Sequence, residues 1–412
     1  MDNATHALLG LLAAEAAILF RGRRGRAVTA GFATSARWVS VLANNLPDLD
    51  SVYAKRLGGK LGYLLHHRGH THTLVVALGL GLLLWAVWLG MRRRALSRVD
   101  RLWLLALALA GGVLHIAFDY CNNYGVHPFW PWFDDWVYGD CLFIIEPWLW
   151  VFAVPALYPS LSSRWGKGSL AALLLIGLGL SWALSLVPWG AALLLTIGAA
   201  AAVGVCWRLS AASRLRFALA GWVVVLLGYV ISSRVGYMSA ERELEPLRQR
   251  GERIEEVILT PAPINPLCFS LISVSVRGDE YHLRAARMSV LPSLISAKSC
   301  RIQPTGLTLG LSPPEFTSNR ELHWEGDWQS SVSELRRLDR EHCLVHALLG
   351  FARAPFWQVS AGDSWLLGDL RFDRDPELDF DELEVPRRVD NAQCLRFLTP
   401  WRPPRESLLR VP

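Results

Sequence analysis

The segment from His66 to His72 carries four of the chain's eleven histidines within seven residues. Imidazole binds Zn, Fe, Ni and Cu, and its charge changes near neutral pH. The segment lies directly before a long apolar run, Thr73–Met91. Because a histidine-rich tract is only a compositional signal, two interpretations stay open: a metal site, or a polar loop at the surface of a membrane.

Other histidines and aspartates could complete such a site. His115 and Asp119 stand four residues apart in a helical pattern, so they share one helix face. Asp48 and Asp50 lie in a turn beside a proline, and His6 lies in the first apolar segment. Each alone has an ordinary explanation, such as a buried His–Asp hydrogen bond, a turn or a single polar residue on an apolar helix. Only together do they favour a metal site.

The residue types restrict the chemistry. Histidine and carboxylate ligands without cysteine suit Zn, Mn or Fe, and we expect a divalent metal, with zinc as the first choice. A metal site open to water can generate hydroxide at neutral pH, and more than four ligands could hold two metals. Asp48 or Asp50, whichever is not a ligand, would be the general base. Arg68 could bind an anionic substrate group; its alternative role is a charge at headgroup level.

The first 234 residues have the pattern of a membrane domain. Hydrophobic residues make up 52% of the chain and charged residues 19%, against about 25% charged in soluble domains. The long apolar runs are near the roughly 20 residues that cross a bilayer. The strong candidates are Thr73–Met91, Leu102–Tyr120, Leu142–Leu161, Leu170–Val187, Trp189–Trp207 and Phe217–Ser233, and the weaker, more polar ones are Ala4–Phe20 and Val28–Leu46. We predict an all-α polytopic membrane domain with six to eight transmembrane helices.

Basic residues mark alternate loops between these segments. They are Arg21, Arg23, Arg24 and Arg26, then Arg92, Arg93, Arg94, Arg98 and Arg101, then Arg164 and Lys167, and finally Arg208, Arg214 and Arg216. The loop 121–141 instead carries Asp134, Asp135 and Asp140. Because basic loops stay in the cytoplasm, we expect all the candidate ligands at the outer face of the membrane. We also expect the C-terminal domain to be extracytoplasmic.

Residues 235–412 have the mixed charge of a soluble domain, for which we predict an α+β or mostly-β fold. The predicted helical segments are Glu241–Arg253 and Ser330–Leu349, and the predicted strands are Cys268–Val276, Glu280–Arg284, Phe356–Val359 and Ser364–Phe372. Four cysteines could pair if this domain is extracytoplasmic: Cys268, Cys300, Cys343 and Cys394. The net charge of +6 is modest and gives no indication of nucleic acid as a partner.

Several motifs follow one another along the chain: Met1-Asp2-x-x-Thr5-His6, Asn45-Leu46-Pro47-Asp48-x-Asp50, His67-Arg68-Gly69-x-Thr71-His72, His115-x-x-x-Asp119 and Gly139-Asp140 followed by Glu146-Pro147-Trp148. This ordered set resembles the YdjM family of bacterial inner-membrane proteins, which are described as membrane-bound metal-dependent hydrolases. The resemblance covers about residues 1–160, and the C-terminal part is similar to the longer members through Pro261-x-Pro263-x-Asn265-Pro266 and Gly368-Asp369-Leu370-Arg371-Phe372.

The resemblance implies six metal-site positions: His6, Asp48, His67, His72, His115 and Asp119. It adds Asp50 as a further candidate and leaves His66 and His70 outside the family pattern. Two residues depart from that pattern. Thr73 stands where serine is frequent, and Glu146 stands where aspartate is usual, so Glu146 is a candidate ligand or acid–base group.

These observations predict a hydrolase of the bacterial inner membrane in which a metal-activated water attacks an ester or phosphoester. We expect a lipid substrate because the site would lie at headgroup depth beside the aromatic loop 122–150, which is either an interfacial belt or a lid. The alternative is a non-catalytic membrane scaffold, or a metal or stress sensor, with a structural metal site. A transporter is a weaker third alternative. The oligomeric state stays open.

Overall fold

The computed structural model describes residues 1–23, 27–92, 96–303, 305–360, 362–374, 380–387 and 394–410. The N-terminal domain is helical. Its helices are α1 (Asn3–Arg23), α2 (Ala30–Ala43), α3 (Asp50–Ala54), α4 (Gly59–His66), α5 (Leu74–Arg92), α6 (Arg98–Tyr120), α7 (Pro147–Leu157), α8 (Arg164–Ala183), α9 (Trp189–Arg208) and α10 (Ala211–Gln249). Of the predicted loop arginines, Arg24, Arg26, Arg93 and Arg94 lie outside the described residues.

Six of these helices are long and apolar enough to cross a membrane: α1, α5, α6, α8, α9 and α10. This confirms the predicted membrane domain. The predicted segments Val28–Leu46 and Leu142–Leu161 form shorter helices, α2 with 14 residues and α7 with 11. Polar residues shorten both, because α2 ends at the cap Asn44 and α7 begins only after Glu146.

Glycines bring three helices into close contact. A methyl group on Gly10 of α1 would lie 2.7 Å from the carbonyl oxygen of Ser40 on α2. One on Gly111 of α6 would lie 2.5 Å from Cβ of Ala43 at the end of α2. Small residues allow this backbone approach between membrane helices. The packing gathers the ends of α1, α2 and α6, where His6 and His115 are located.

The C-terminal domain has the predicted mixed composition of strands and helices. An antiparallel sheet has the order β1 (Arg253–Ala262), β2 (Asn265–Arg277), β3 (Glu280–Ser289) and β4 (Leu322–Ser331). Helices α11 (Val332–Glu341) and α12 (Cys343–Leu349) lead to a second antiparallel sheet of β5 (Pro355–Val359), β6 (Ser364–Asp369) and β7 (Leu383–Pro386), and α13 (Glu406–Leu409) follows.

One predicted helical segment differs from the structure in its bounds. The predicted helical segment Glu241–Arg253 is helical only to Gln249, where the 39-residue helix α10 ends, and β1 begins at Arg253. This helix also crosses the predicted domain boundary at residue 234 without a break, and the boundary stays a prediction. The four cysteines named above form two disulfides, Cys268–Cys300 and Cys343–Cys394.

The two domains share a hydrophobic core. Leu61, Leu64 and Leu65 of α4 pack in one cluster with Leu348 and Trp401 of the C-terminal domain. Four charged side chains, which we call the interface network, connect the domains beside this core: Asp140, Glu256, Arg353 and Arg405. The C-terminal domain therefore lies against the same end of the helical domain as α4 and the loop after α6.

Candidate metal centre

Four of the predicted ligands come from three separate places in the sequence. Asp48 lies in a short 3-10 turn, Pro47–Leu49, directly after α2. His72 ends another such turn, His70–His72, between α4 and α5. His115 and Asp119 lie one turn apart near the end of α6. The fold brings these four side chains together in one group.

Four donor atoms of this group converge. Nε2 of His72 lies 3.0 Å from Nε2 of His115, 3.1 Å from Oδ2 of Asp119 and 3.5 Å from Oδ1 of Asp48. Nε2 of His115 lies 3.3 Å from Asp119 and 3.6 Å from Asp48. A tetrahedral zinc with bonds of about 2.0 Å places its ligand atoms about 3.3 Å apart. The observed spacing therefore fits a four-coordinate divalent metal.

In His72 and His115, the partner of Nδ1 determines which ring nitrogen carries the lone pair. Nδ1 of His115 lies 2.7 Å from the carbonyl oxygen of Asn44, which can only accept a hydrogen bond. Nδ1 of His72 lies 3.2 Å from Oδ2 of Asp50. Donation from Nδ1 leaves the lone pair of each neutral ring on Nε2, at the centre of the group. Metal-binding histidines are held in this way by carbonyl or carboxylate acceptors.

The group is buried and rich in carboxylate. The side chains of His72, His115 and Asp119 have no exposed surface, and that of Asp48 is 13% exposed. Burial alone would lower the pKa of His72, but hydrogen bonds to Asp119, Asp48 and Asp50 raise it to about 10. Without a metal the ring therefore holds a proton at neutral pH, and a bound metal would replace that proton.

Asp50 positions the histidine segment. Its carboxylate accepts hydrogen bonds from Nδ1 of His67 at 2.9 Å, from the backbone N–H of Arg68 at 2.8 Å and from the Thr71 hydroxyl at 2.8 Å. Burial would raise the pKa of Asp50, but the bonds to His67 and His72 hold it well below its usual range. Asp48, Asp50 and His67 form a second group with donor atoms close enough to hold a metal.

Arg68 lies beside the centre in a strained conformation. Its φ of 58° is in the left-handed region, which costs a non-glycine residue about 1–3 kcal/mol and is typical of functional sites. Its Nε lies 3.1 Å from Asp119, and its Nη1 donates to Asn122 at 2.7 Å. A side chain on the next residue, Gly69, would lie 2.8 Å from a backbone oxygen. The turn thus needs glycine to fix Arg68 in place.

His6 lies next to the four-atom group without belonging to it. Its ring stacks on His115 with centroids 3.8 Å apart, and its Nε2 lies 3.2 Å from Oδ1 of Asp119. The α-amino group of Met1 also contacts Asp119. His6 therefore contacts the outer oxygen of a candidate ligand, while Asp119 offers its other oxygen to the centre.

The remaining histidines and Glu146 have other partners. His66 contacts the carbonyl oxygen of Phe397, and His70 contacts Trp130 and Trp401, so both face the C-terminal domain. Glu146 is buried and accepts hydrogen bonds from Tyr229 and from the backbone of Ile264.

The hydrogen-bonding partners of the centre were not singled out by the sequence analysis. Asn44 orients His115, Asn122 holds Arg68, and His127 contacts the carbonyl of Arg68 at 3.4 Å while stacking on Trp401. The only signal was proximity, since Asn44 and Asn122 lie within four residues of Asp48 and Asp119.

Comparison with known proteins identifies a family for the N-terminal part. No curated protein and no solved structure matches the chain significantly. Residues 1–190, which include every residue of the candidate centre, match a family model described as YdjM inner membrane protein. Through this region the chain is similar to the YdjM inner membrane proteins.

Proposed function

We propose that this protein is a metal-dependent hydrolase that cleaves an ester or phosphoester at the membrane surface. The convergence of four donor atoms carries this proposal: Nε2 of His72 and Nε2 of His115 lie 3.0 Å apart, and each lies 3.1–3.6 Å from a carboxylate oxygen of Asp48 and of Asp119. A bound zinc or similar ion would supply Lewis acidity and lower the pKa of water. Among these four residues only Asp48 is partly exposed, so substrate would reach the centre from the side of Asp48.

Residues beside the centre would supply the positioning, proton-transfer and anion-binding roles of the hydrolase. Asp50 has both oxygens engaged in hydrogen bonds, which makes it a positioning residue for His67 and His72. His67 donates its Nδ1 proton to Asp50, so Nε2 is the atom that can accept a proton from a water or return it to a leaving group. Its side chain is 14% exposed. Arg68 supplies a guanidinium that can hold a phosphate oxygen.

The second candidate function is a non-catalytic scaffold or metal sensor. It is favoured by the complete burial of His72, His115 and Asp119, because a closed four-ligand shell is typical of structural metal sites. The exposure of Asp48 and His67 favours the hydrolase instead.

We also propose that the C-terminal domain is extracytoplasmic. Its two disulfides support this, because disulfides persist in oxidising compartments, and so do the basic loops Arg164–Lys167 and Arg208–Arg216 on the opposite side of the predicted topology. A reporter enzyme fused after Tyr237 should indicate a position outside the cytoplasm. A fusion that indicates a cytoplasmic position would overturn the proposed orientation of the C-terminal domain.

The test of the hydrolase uses the purified full-length protein with zinc restored. We expect hydrolysis of phospholipids or model phosphodiesters that disappears on chelation and in His115→Ala, and that persists in the control Asp363→Asn, whose side chain is 82% exposed. Metal binding without metal-dependent hydrolysis of any of these esters would contradict the hydrolase and favour the scaffold.

A further inference from the structure

Two free cysteines lie beside each other at the base of the loop 121–141. Cys121 directly follows α6, and Cys141 lies at the other end of the loop. The backbone N–H of Cys141 donates a hydrogen bond to the carbonyl oxygen of Cys121 at 2.8 Å. The two thiols are also close enough to hydrogen-bond each other. The pair is thus in contact through both its backbone and its side chains.

The backbone spacing of this pair suits a disulfide bond. The covalent bonds on either side of the 2.8 Å hydrogen bond keep the two Cα atoms within about 7 Å of each other. Cysteines at up to about this Cα distance, with side chains that point towards each other, can be bridged without backbone movement. Joining Cys121 to Cys141 therefore requires only rotation of the two side chains.

Neighbouring elements hold both ends of the loop in place. The N–H of Gly139 donates to the carbonyl oxygen of Tyr120 at 2.6 Å. The carbonyl oxygen of Asp140 accepts a hydrogen bond from Ser233 of α10 at 3.0 Å, and the carboxylate of Asp140 accepts one from Arg353 at 2.8 Å. The fold itself thus keeps the two thiols together, whether or not they are bonded.

The loop between the cysteines surrounds Arg68. Asn122 accepts a hydrogen bond from Nη1 of Arg68 at 2.7 Å, and Nδ1 of His127 lies 3.4 Å from the carbonyl oxygen of Arg68. The ring centroid of Tyr124 lies 5.1 Å from the guanidinium carbon. A covalent bond at the base of the loop would therefore restrict three side chains that position Arg68.

The pair lies on the side of the helical domain that faces the C-terminal domain. Within the loop, Asn123 donates a hydrogen bond to Thr260 at 2.8 Å, and Trp136 donates one to the carbonyl oxygen of Gly350 at 2.9 Å. An oxidising compartment that forms the two disulfides of the C-terminal domain would also reach Cys121, which is partly exposed. In the cell this step rests on the proposed extracytoplasmic position.

We propose that Cys121 and Cys141 form a third disulfide, which closes the loop around Arg68. The bond forms by exchange with a disulfide donor, such as oxidised glutathione or a thiol–disulfide oxidoreductase. Cys121 attacks one donor sulfur, breaks the S–S bond of the donor and releases the first donor thiol. Cys141 then displaces the second donor thiol from the mixed disulfide. The donor takes up two electrons, and the protons of the two cysteines end on the two released thiols.

Counting free thiols tests the bond directly. The full-length protein and its variants are equilibrated in detergent with oxidised and reduced glutathione, then denatured, alkylated and mapped by mass spectrometry. Because the chain has seven cysteines, three disulfides leave one free thiol in the unmodified protein, none in the control Cys206→Ala and two in Cys121→Ala or Cys141→Ala. Three free thiols in the unmodified protein, or glutathione on Cys121 beside a free Cys141, would overturn the proposal.

Hydrogen exchange tests the effect of the bond on the loop. Backbone amides of residues 122–138 should exchange about fivefold more slowly in the oxidised unmodified protein and in Cys206→Ala than in Cys121→Ala, because a closed loop opens less often. Equal exchange in the three proteins would overturn the proposed restriction of the loop. Neither measurement requires bound metal or hydrolysis, so failure of the hydrolase and failure of the third disulfide are separate results.

Discussion

The metal centre and the interface network are both charged and wholly or largely buried, but only in the interface network do cationic and anionic side chains match in number. Two guanidinium groups, of Arg353 and Arg405, face two carboxylates, of Asp140 and Glu256, with Arg353 at 2.7 Å from Asp140 and 3.0 Å from Glu256. Every charge in the network therefore has an opposite partner within the protein, as buried charges require.

The metal centre has more carboxylates than the side-chain cations that the described residues bring to it. Asp48, Asp50 and Asp119 all lie within 3.5 Å of His72, but among the described contacts only Asp119 is paired with a guanidinium, that of Arg68, and with the α-amino group of Met1. In their neutral form His72 and His115 would add two imidazole nitrogens whose lone pairs face the same centre. A buried cluster of this composition is stabilised by protons or by a metal. Charge balance thus distinguishes the interface network from the metal centre, whose composition favours a bound cation.

The largest expected effect on stability is in the interface network. Arg353→Met leaves Asp140 without its guanidinium, and breaking a buried pair in this way costs about 3–5 kcal/mol. Arg242→Met, which removes an exposed pair with Glu321, should cost less than about 1 kcal/mol. Thermal unfolding in detergent measures both. Two results would contradict the distinction between the interface network and the metal centre. One is an Arg353→Met variant as stable as Arg242→Met, and the other is a folded Arg353→Met variant that has lost bound metal.

A smaller loss is expected from the disulfide Cys343–Cys394, which spans 51 residues. Replacing both cysteines by alanine should lower the stability of the C-terminal domain by about 2–4 kcal/mol, because the unfolded chain is no longer restricted. Bound metal should be unchanged, since all the ligands lie in the other domain. A fall in metal content in the folded variant would mean that the centre depends on this domain.

The smallest of the three effects tests the positioning role of Asp50. Asp50→Asn keeps the shape of the side chain but removes the charge that orients His67 and His72, so metal affinity should fall by about 10–100-fold. Competition with a chelating dye measures this affinity, with Asp363→Asn as the control. A complete loss of metal would instead make Asp50 a ligand, and no change would remove it from the site.

The sequence predicted the long apolar helices well, and it singled out the four side chains that the fold groups together, because both have local signals. A 19-residue apolar run predicts α5, and the four-residue spacing of His115 and Asp119 predicts their common face. It predicted the lengths of α2 and α7 poorly, because α2 ends at Asn44 and α7 begins only after Glu146, although both residues lie within apolar segments of the sequence.

The sequence could not separate ligands from their supporting residues. His6, Asp50 and His67 have the same chemistry as His72 and His115, and only their position in the fold places them beside the four-atom group. The sequence also could not predict a cavity between the domains, because lining residues such as Lys60 and Arg374 are more than 300 residues apart in the chain.

Metal content tests the central claim most directly. The purified full-length protein and the double variant His115→Ala, Asp119→Ala are incubated with zinc, desalted and analysed by elemental mass spectrometry, with circular dichroism to confirm that both are folded. We expect about one equivalent of metal in the unmodified protein and none in the double variant. Equal metal content in the two folded proteins, or none in the unmodified protein, would contradict a metal centre formed by these residues.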